Sequence, residues 1–161
     1  MNSWRLMAAA DMPAVAAISD AVHGDYTECA PVYAERLDLY PAGCWLLEKG
    51  GDALGYCISH PWHGDRPPVL GALIASVPLD ADRYYLHDLA LLPQARGIGA
   101  AGKAVQLVLR QAQDAGFDKV TLTAVNGADT FWRKQGFAPM PNRPDGYGEN
   151  SLSMERAGIS L

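Results

Sequence analysis

"LLPQARGIGAAGKAVQLVL", Leu91 to Leu109, is the stretch that decides the fold. Read from Gly97 it runs Gly-Ile-Gly-Ala-Ala-Gly-Lys-Ala, one residue short of the nucleotide-binding loop G-x-x-x-x-G-K-[ST]. Read from Arg96 it fits R-x-x-G-x-A, another way of opening a helix around a phosphate. Both readings use the same physics. The first turn of a helix leaves N–H groups unpaired at the positive end of its dipole, and Gly and Ala let an anion come close. Residue 104 separates the two. The nucleotide loop needs a Ser or Thr hydroxyl there for Mg²⁺, and Ala104 has none. Such a loop also normally follows the first strand, whereas only 57 residues follow Ala104. The second reading is therefore preferred, and Lys103 becomes a first-turn cation able to meet a phosphate.

The flanks of this stretch read clearly. "YYLHDLALL" before it is a strand. After it, Ile98, Ala101, Val105, Val108, Ala112 and Ala115 step by three or four, an apolar helical stripe that Gly116 stops. Towards the C-terminus come a strand "KVTLTAV", a short helix over Ala128 to Lys134 and a last strand "NSLSMERA". Towards the N-terminus, two apolar runs around Gly50-Gly51 predict a hairpin. Before it stand helices over Ala30 to Tyr40 and after Asp11, the latter with Asp11 as N-cap and Pro13 in its first turn. A short apolar start covers Trp4 to Met7, and the proline-rich segment His60 to Asp82 reads as a loop. This order predicts an α/β protein on a mixed sheet with helices on both faces.

With 161 residues, 49% of them hydrophobic, the chain suits one domain over 1–161. Its net charge is -5, with Lys and Arg scattered, so neither nucleic acid nor an anionic membrane is an expected partner. Cys29, Cys44 and Cys57 form no C-x-x-C pair and read as small core hydrophobes. No basic leader or long apolar run is visible, which predicts a cytoplasmic protein.

Two motifs in order carry a resemblance. "LALLPQARGIGAA" has a strand, Pro93, then Arg96-x-x-Gly99-x-Ala101 opening a helix, although Gln94-x-x-Gly97-x-Gly99 fits the same formula. Thirty residues downstream of Arg96, "AVNGADTFWRKQGF" has Asn126 after a strand, an aromatic pair, then Gly136-Phe137. Together they resemble the GNAT superfamily of acyl-CoA-dependent N-acyltransferases, over nearly the whole chain. The resemblance implies a GNAT fold, with a mixed and mostly antiparallel central sheet and helices on both faces, and acetyl-CoA as acyl donor. It implies that backbone groups of Leu89, Ala90 and Leu91 pair with the pantetheine arm. It further implies that the loop opened by Arg96 holds the pyrophosphate on N–H groups of Gly97, Ile98, Gly99, Ala100, Ala101 and Gly102, with Asn126 contacting the cofactor across the gap. The acceptor is then a small-molecule or protein amine, and a homodimer is allowed. A GNAT-fold acyl-CoA-binding or regulatory module without catalysis is the alternative.

Acetyl transfer to an amine needs a group to take the amine's proton. Strand alternation places Tyr85, His87, Leu89 and Leu91 on one face and Tyr84, Leu86, Asp88 and Ala90 on the other. The resemblance puts positions matching Tyr85 and His87 near the thioester, and His87 is the first candidate for the base. Asp88 is a nearby alternative, expected on the opposite face and bonded there to local backbone. "KVTLTAV" offers no carboxylate. Where many relatives have a Tyr that protonates the leaving thiolate, this chain has Trp132, whose indole N–H does not titrate usefully; Tyr147 or water would serve instead. His60 and His63 lack a third ligand, so no metal is expected. Their loop, with Trp62, reads equally as a wall of the acceptor pocket or as a proline-stiffened surface connection, while Tyr26 and Tyr33 read first as core aromatics and second as acceptor-side groups.

Overall fold

The computed structural model describes residues 2–141 and 150–159; Tyr147 lies outside them. Seven strands, β1 (Ser3–Leu6), β2 (Cys44–Lys49), β3 (Asp52–Trp62), β4 (Arg83–Leu91), β5 (Lys119–Val125), β6 (Ala138–Pro139) and β7 (Ser151–Ala157), form one sheet in the order β1-β2-β3-β4-β5-β7-β6. Every pairing is antiparallel except β4 with β5. Helices α1 (Met12–His23) and α2 (Ala30–Leu39) cover one face, and α3 (Ala100–Asp114) and α4 (Asp129–Lys134) the other.

The apolar patterning explains the layers. On the α3 side, Ala104, Val105, Val108 and Ala112 pack with Leu86, Val120, Leu122, Trp132 and Phe137. On the α1/α2 side, Val15, Ile18, Tyr33 and Leu37 pack with Leu46, Tyr56 and Ile58. The α3 stripe begins later than its spacing predicts. Gly99 sits in the left-handed region at φ +80° as the N-cap, so Ile98 lies before the helix and is 54% exposed. Asp11 does hold the cap position of α1, yet its carboxylate turns back to the Ala8 N–H and to Arg5.

Two irregularities shape the centre of the sheet. The parallel β4/β5 ladder pairs only Tyr84 with Val120 and Tyr85 with Thr121. Beyond Tyr85 the β5-facing edge of β4 has no strand partner among the described residues. The antiparallel β3/β4 ladder also shifts register, Ile58 opposing Asp88 while Ser59 opposes Leu86, which makes His87 the extra residue of a β-bulge. The predicted loop starts later than expected: β3 runs through His60 and Pro61 to Trp62, and the irregular segment is 63–82.

Candidate active site

The bulge corrects the predicted alternation on β4. A bulged strand carries two successive side chains towards one side, so Asp88 joins His87 on the α1/α2 face instead of opposing it. Leu89 and Leu91 then turn to the α3 side, where Leu89 packs with the core and Leu91 against Ala95 and Ala100. Asp88 is bonded to side chains, not to local backbone.

A cavity of about 40 Å³ opens where β4 and β5 part, lined by His23, Tyr26, Glu28, Leu70, His87, Asp88, Thr123 and Val125. Two carboxylate–imidazole pairs wall it. Glu28 Oε1 lies 2.6 Å from His87 Nε2, with both side chains almost fully buried, and Glu28 Oε2 accepts the Gly71 N–H at 2.7 Å. Asp88 Oδ1 lies 2.6 Å from His23 Nε2, while its Oδ2 accepts from Tyr56 at 2.6 Å and Tyr33 at 3.1 Å.

Burial alone would raise the Asp88 carboxyl, but the His23 charge and hydrogen bond, with His87 and Tyr56, outweigh it and hold it below its ordinary range. Burial likewise opposes charge on His23, and Asp88 reverses this to leave His23 raised. Glu28 is lowered because its bonds to His87 and Gly71 outweigh its desolvation. Tyr33 and Tyr56 are pushed up by burial and by the neighbouring Asp88 charge.

Against this wall stands a second polar group. Among the described residues, His87 Nδ1, His60 Nε2 and Arg36 Nε and Nη2 are buried without a hydrogen-bond partner. The rings of His60 and His87 are 6.1 Å apart, and burial, with His87 and Arg36 nearby, pushes His60 down to about 3. His60 is thus neutral, its Nδ1–H donating to the Pro61 carbonyl at 2.8 Å. His63 faces elsewhere, towards Asp80 at 2.8 Å, so the two histidines do not converge. Tyr85 Oη meets Thr123 Oγ1 at 3.1 Å across the β4/β5 rungs.

Beyond the β4 edge the loop reaches α3. Gly97 and Gly99 both take positive φ, +78° and +80°, which β-carbon-bearing residues rarely adopt. Residues 96 to 99 are exposed, and the Arg96 guanidinium folds back on the Leu91 carbonyl at 3.2 Å. A cleft of about 700 Å³ borders this turn, lined among others by Trp4, Ile98, Gly99, Gly102 and Lys103. Across the gap, Asn126 follows β5 with φ +55°. Trp132 is a core residue, edge-on to Phe131 at 4.9 Å and Phe137 at 5.6 Å. Cys44 and Cys57 are buried, whereas Cys29 is exposed at the start of α2 and is not the core residue predicted.

His23 and Glu28 escaped the sequence reading. They lie in "HGDYTEC" between two helices, a polar turn without periodicity, and meet β4 only across 65 and 59 residues of chain. The bulge that turns both His87 and Asp88 towards them leaves no mark in the residue types.

An open strand edge, a helix start and a walled cavity between parting strands thus lie together along β4. The family model described as "Acetyltransferase (GNAT) family" matches residues 13–137, and the chain belongs to that family. N-acetyltransferase 8 of Mus musculus is 27% identical over 115 residues, 70% of this chain and 45% of that protein, so the match spans less than half of the relative's length. The loading GNATL domain of CurA from Lyngbya majuscula superposes with a TM-score of 0.81 at 13% identity, covering 98% of each chain. The GphF GNAT-like decarboxylase in complex with isobutyryl-CoA gives 0.77 at 14% identity, covering 96% of this chain and 98% of that one. At these identities the structures establish the GNAT fold.

Proposed function

We propose that this chain is a single-domain cytoplasmic enzyme that transfers the acetyl group of acetyl-CoA to a primary amine by direct attack in a ternary complex. The observation that carries this reading is the alignment of three features along β4: a helix start, a strand edge without a partner among the described residues and a cavity walled by two carboxylate–imidazole pairs. The N–H groups from Gly97 to Gly102 would hold the pyrophosphate of acetyl-CoA, whose acyl thioester is the group transferred. Gly97 and Gly99 take positive φ there, and Lys103 lines the same cleft. Leu89, Ala90 and Leu91 would take the pantetheine arm on the open edge, and Asn126 would meet it from the β5 side.

His87 is the proposed base. Glu28 accepts its Nε2–H and fixes the neutral ring's tautomer, leaving the lone pair on Nδ1 to take the amine's proton. Tyr85 braces the rung below, and Asp88 holds His23 beside the acceptor. The departing thiolate takes its proton from water, since Trp132 is buried in the core. The acceptor is a small-molecule or protein amine, and the active unit is a monomer or a homodimer.

The test is CoA release from acetyl-CoA over a panel of polyamines, arylalkylamines, amino acids and N-terminal peptides. Release with at least one amine, lost in His87→Ala that still binds acetyl-CoA, is expected. Acetyl-CoA binding with no release from any amine class would favour the non-catalytic acyl-CoA-binding module.

A further inference from the structure

The irregular segment 63–82 is tied at its root and latched in its middle. At the root, the Asp82 N–H donates to the Trp62 carbonyl at 3.0 Å, the Gly64 N–H to Asp82 Oδ1 at 3.3 Å, and Arg83 pairs with Asp65 at 2.9 Å. In the middle, backbone N–H groups reach two carboxylates on and just before α2. Gly71 donates to Glu28 Oε2 at 2.7 Å, Ile74 to Glu35 Oε1 at 2.7 Å and Ala75 to Glu35 Oε2 at 2.9 Å. Hydrogen bonds to a charged acceptor are roughly twice as strong as neutral ones. Apolar packing adds little: among the described residues none of 63–82 belongs to an apolar cluster of the core, and Val69, Leu73 and Leu79 are exposed. The middle of the segment is held by charge.

The latched position also carries strain. The Ser76 N–H closes on the Ile74 carbonyl at 2.8 Å around Ala75, whose φ of +67° is that of the rare, strained form of this three-residue turn. Glu35 grips the two N–H groups that enter it. Gly71 is left-handed as well, at φ +78°, which costs a glycine nothing. A carboxylate clamp on a turn that the backbone disfavours sets a closed state against an open one of similar free energy.

Under the latch lies the proposed amine site. Leu70, next to Gly71, lines the cavity with Glu28 and His87, and its volume of about 40 Å³ holds a few waters. An amine with substituents of its own needs more room. The His87 side chain is 1% exposed, so access to it also requires movement. Glu28 meanwhile divides its carboxylate, Oε1 on His87 and Oε2 on Gly71. Seating the segment therefore seats the group that orients the base.

We propose that residues 67–79 are a lid over the amine site, latched by Glu28 and Glu35, which opens to admit the acceptor and closes to set Glu28 against His87. What the lid admits rests on the acetyl-transfer reading above.

Access to His87 tests the lid without any acceptor. Diethyl pyrocarbonate, a small electrophile that acylates neutral imidazole, is added to the wild type, Gly71→Ala, Ala75→Gly and Glu35→Gln. Its uptake at His87 is followed by peptide mass spectrometry, with His63, already 44% exposed, as the internal reference. Gly71→Ala puts a β-carbon at left-handed φ in the closed lid, with nothing within 4 Å to clash. It should speed His87 modification roughly 5- to 30-fold, the penalty of one left-handed residue. Ala75→Gly lifts the same penalty and should slow modification by a similar factor. Glu35→Gln weakens the grip and should act as Gly71→Ala does. The His63 rate and the circular-dichroism spectrum stay equal throughout. Equal His87 rates in all four proteins, or Gly71→Ala and Ala75→Gly shifting the rate the same way, would overturn the lid. The expected order of rates in a protein that acetylates no amine of the panel would keep the lid and overturn the acetyl-transfer reading instead.

Discussion

The two faces of the sheet are built on opposite principles. Under α3 and α4 the interior is mainly apolar, with Val105, Val108, Leu122, Trp132 and Phe137 packed edge to face and side by side, and its buried Ser59 and Tyr84 hydroxyls are bonded to each other. Under α1 and α2 the interior holds Ser19, Arg36, His60 and Asp88, all at least nine-tenths buried. Buried polar groups cost free energy unless hydrogen-bonded, and four of the buried nitrogens there have no partner among the described residues. The difference teaches that one face is stabilised mainly by apolar packing while the other keeps costly polar groups in its interior.

The sharpest way to break this contrast is His87→Ala. It should lower kcat/KM by roughly 10²- to 10⁴-fold, the usual contribution of a positioned base, with acetyl-CoA affinity and the circular-dichroism spectrum unchanged. Near-normal kcat/KM would transfer the role to Asp88 or Tyr85. The matching change on the apolar face is Leu122→Ala. It should cost about 2–5 kcal/mol in urea unfolding and leave the kcat/KM of the folded enzyme untouched.

A smaller effect concerns acid. His60 resists protonation down to about 3, whereas an unfolded histidine takes its proton near pH 6.5. Between those values the unfolded chain binds more protons, so this group's contribution is full above pH 6.5 and is lost as pH falls. The loss should reach about 2 kcal/mol by pH 5. His23 runs the other way, raised by Asp88, and its stabilisation is present below pH 6.5 and lost as pH rises through its folded value. His60→Gln should therefore flatten the acid side of the stability–pH curve; an unchanged slope would show that His60 titrates normally.

The smallest effect is Gly102→Ala, in the first turn of α3. An added Cβ meets nothing within 4 Å, so the helix should gain about 0.5–1 kcal/mol, read by thermal unfolding. Gly99→Ala in the same loop should destabilise instead, because φ there is +80°.

What was legible in the sequence follows the same division. The α3 stripe, the Gly50-Gly51 hairpin and the strand "KVTLTAV" show in local periodicity, because apolar burial repeats with the geometry of each element. The loop from Arg96 to Ala101 shows because its left-handed backbone at residues 97 and 99 demands Gly at fixed spacing. The polar face does not show. Its pairs join residues 55 to 65 positions apart, and a bulge at His87 rotates Asp88 to the side that strict alternation denies it. The two-residue β6 and the final turns of β3 through Pro61 were invisible for a related reason, since edge pairing and a strand-end proline leave no apolar alternation.

The central claim is that the loop before α3 takes an acyl-CoA and not a nucleotide triphosphate with metal. Thermal unfolding of the wild-type protein with acetyl-CoA, and separately with ATP and Mg²⁺, tests it most directly, because a ligand of the native state raises Tm by mass action. Acetyl-CoA should raise Tm in a concentration-dependent way and ATP with Mg²⁺ should leave it unchanged. Stabilisation by ATP with Mg²⁺ and none by acetyl-CoA would contradict the account.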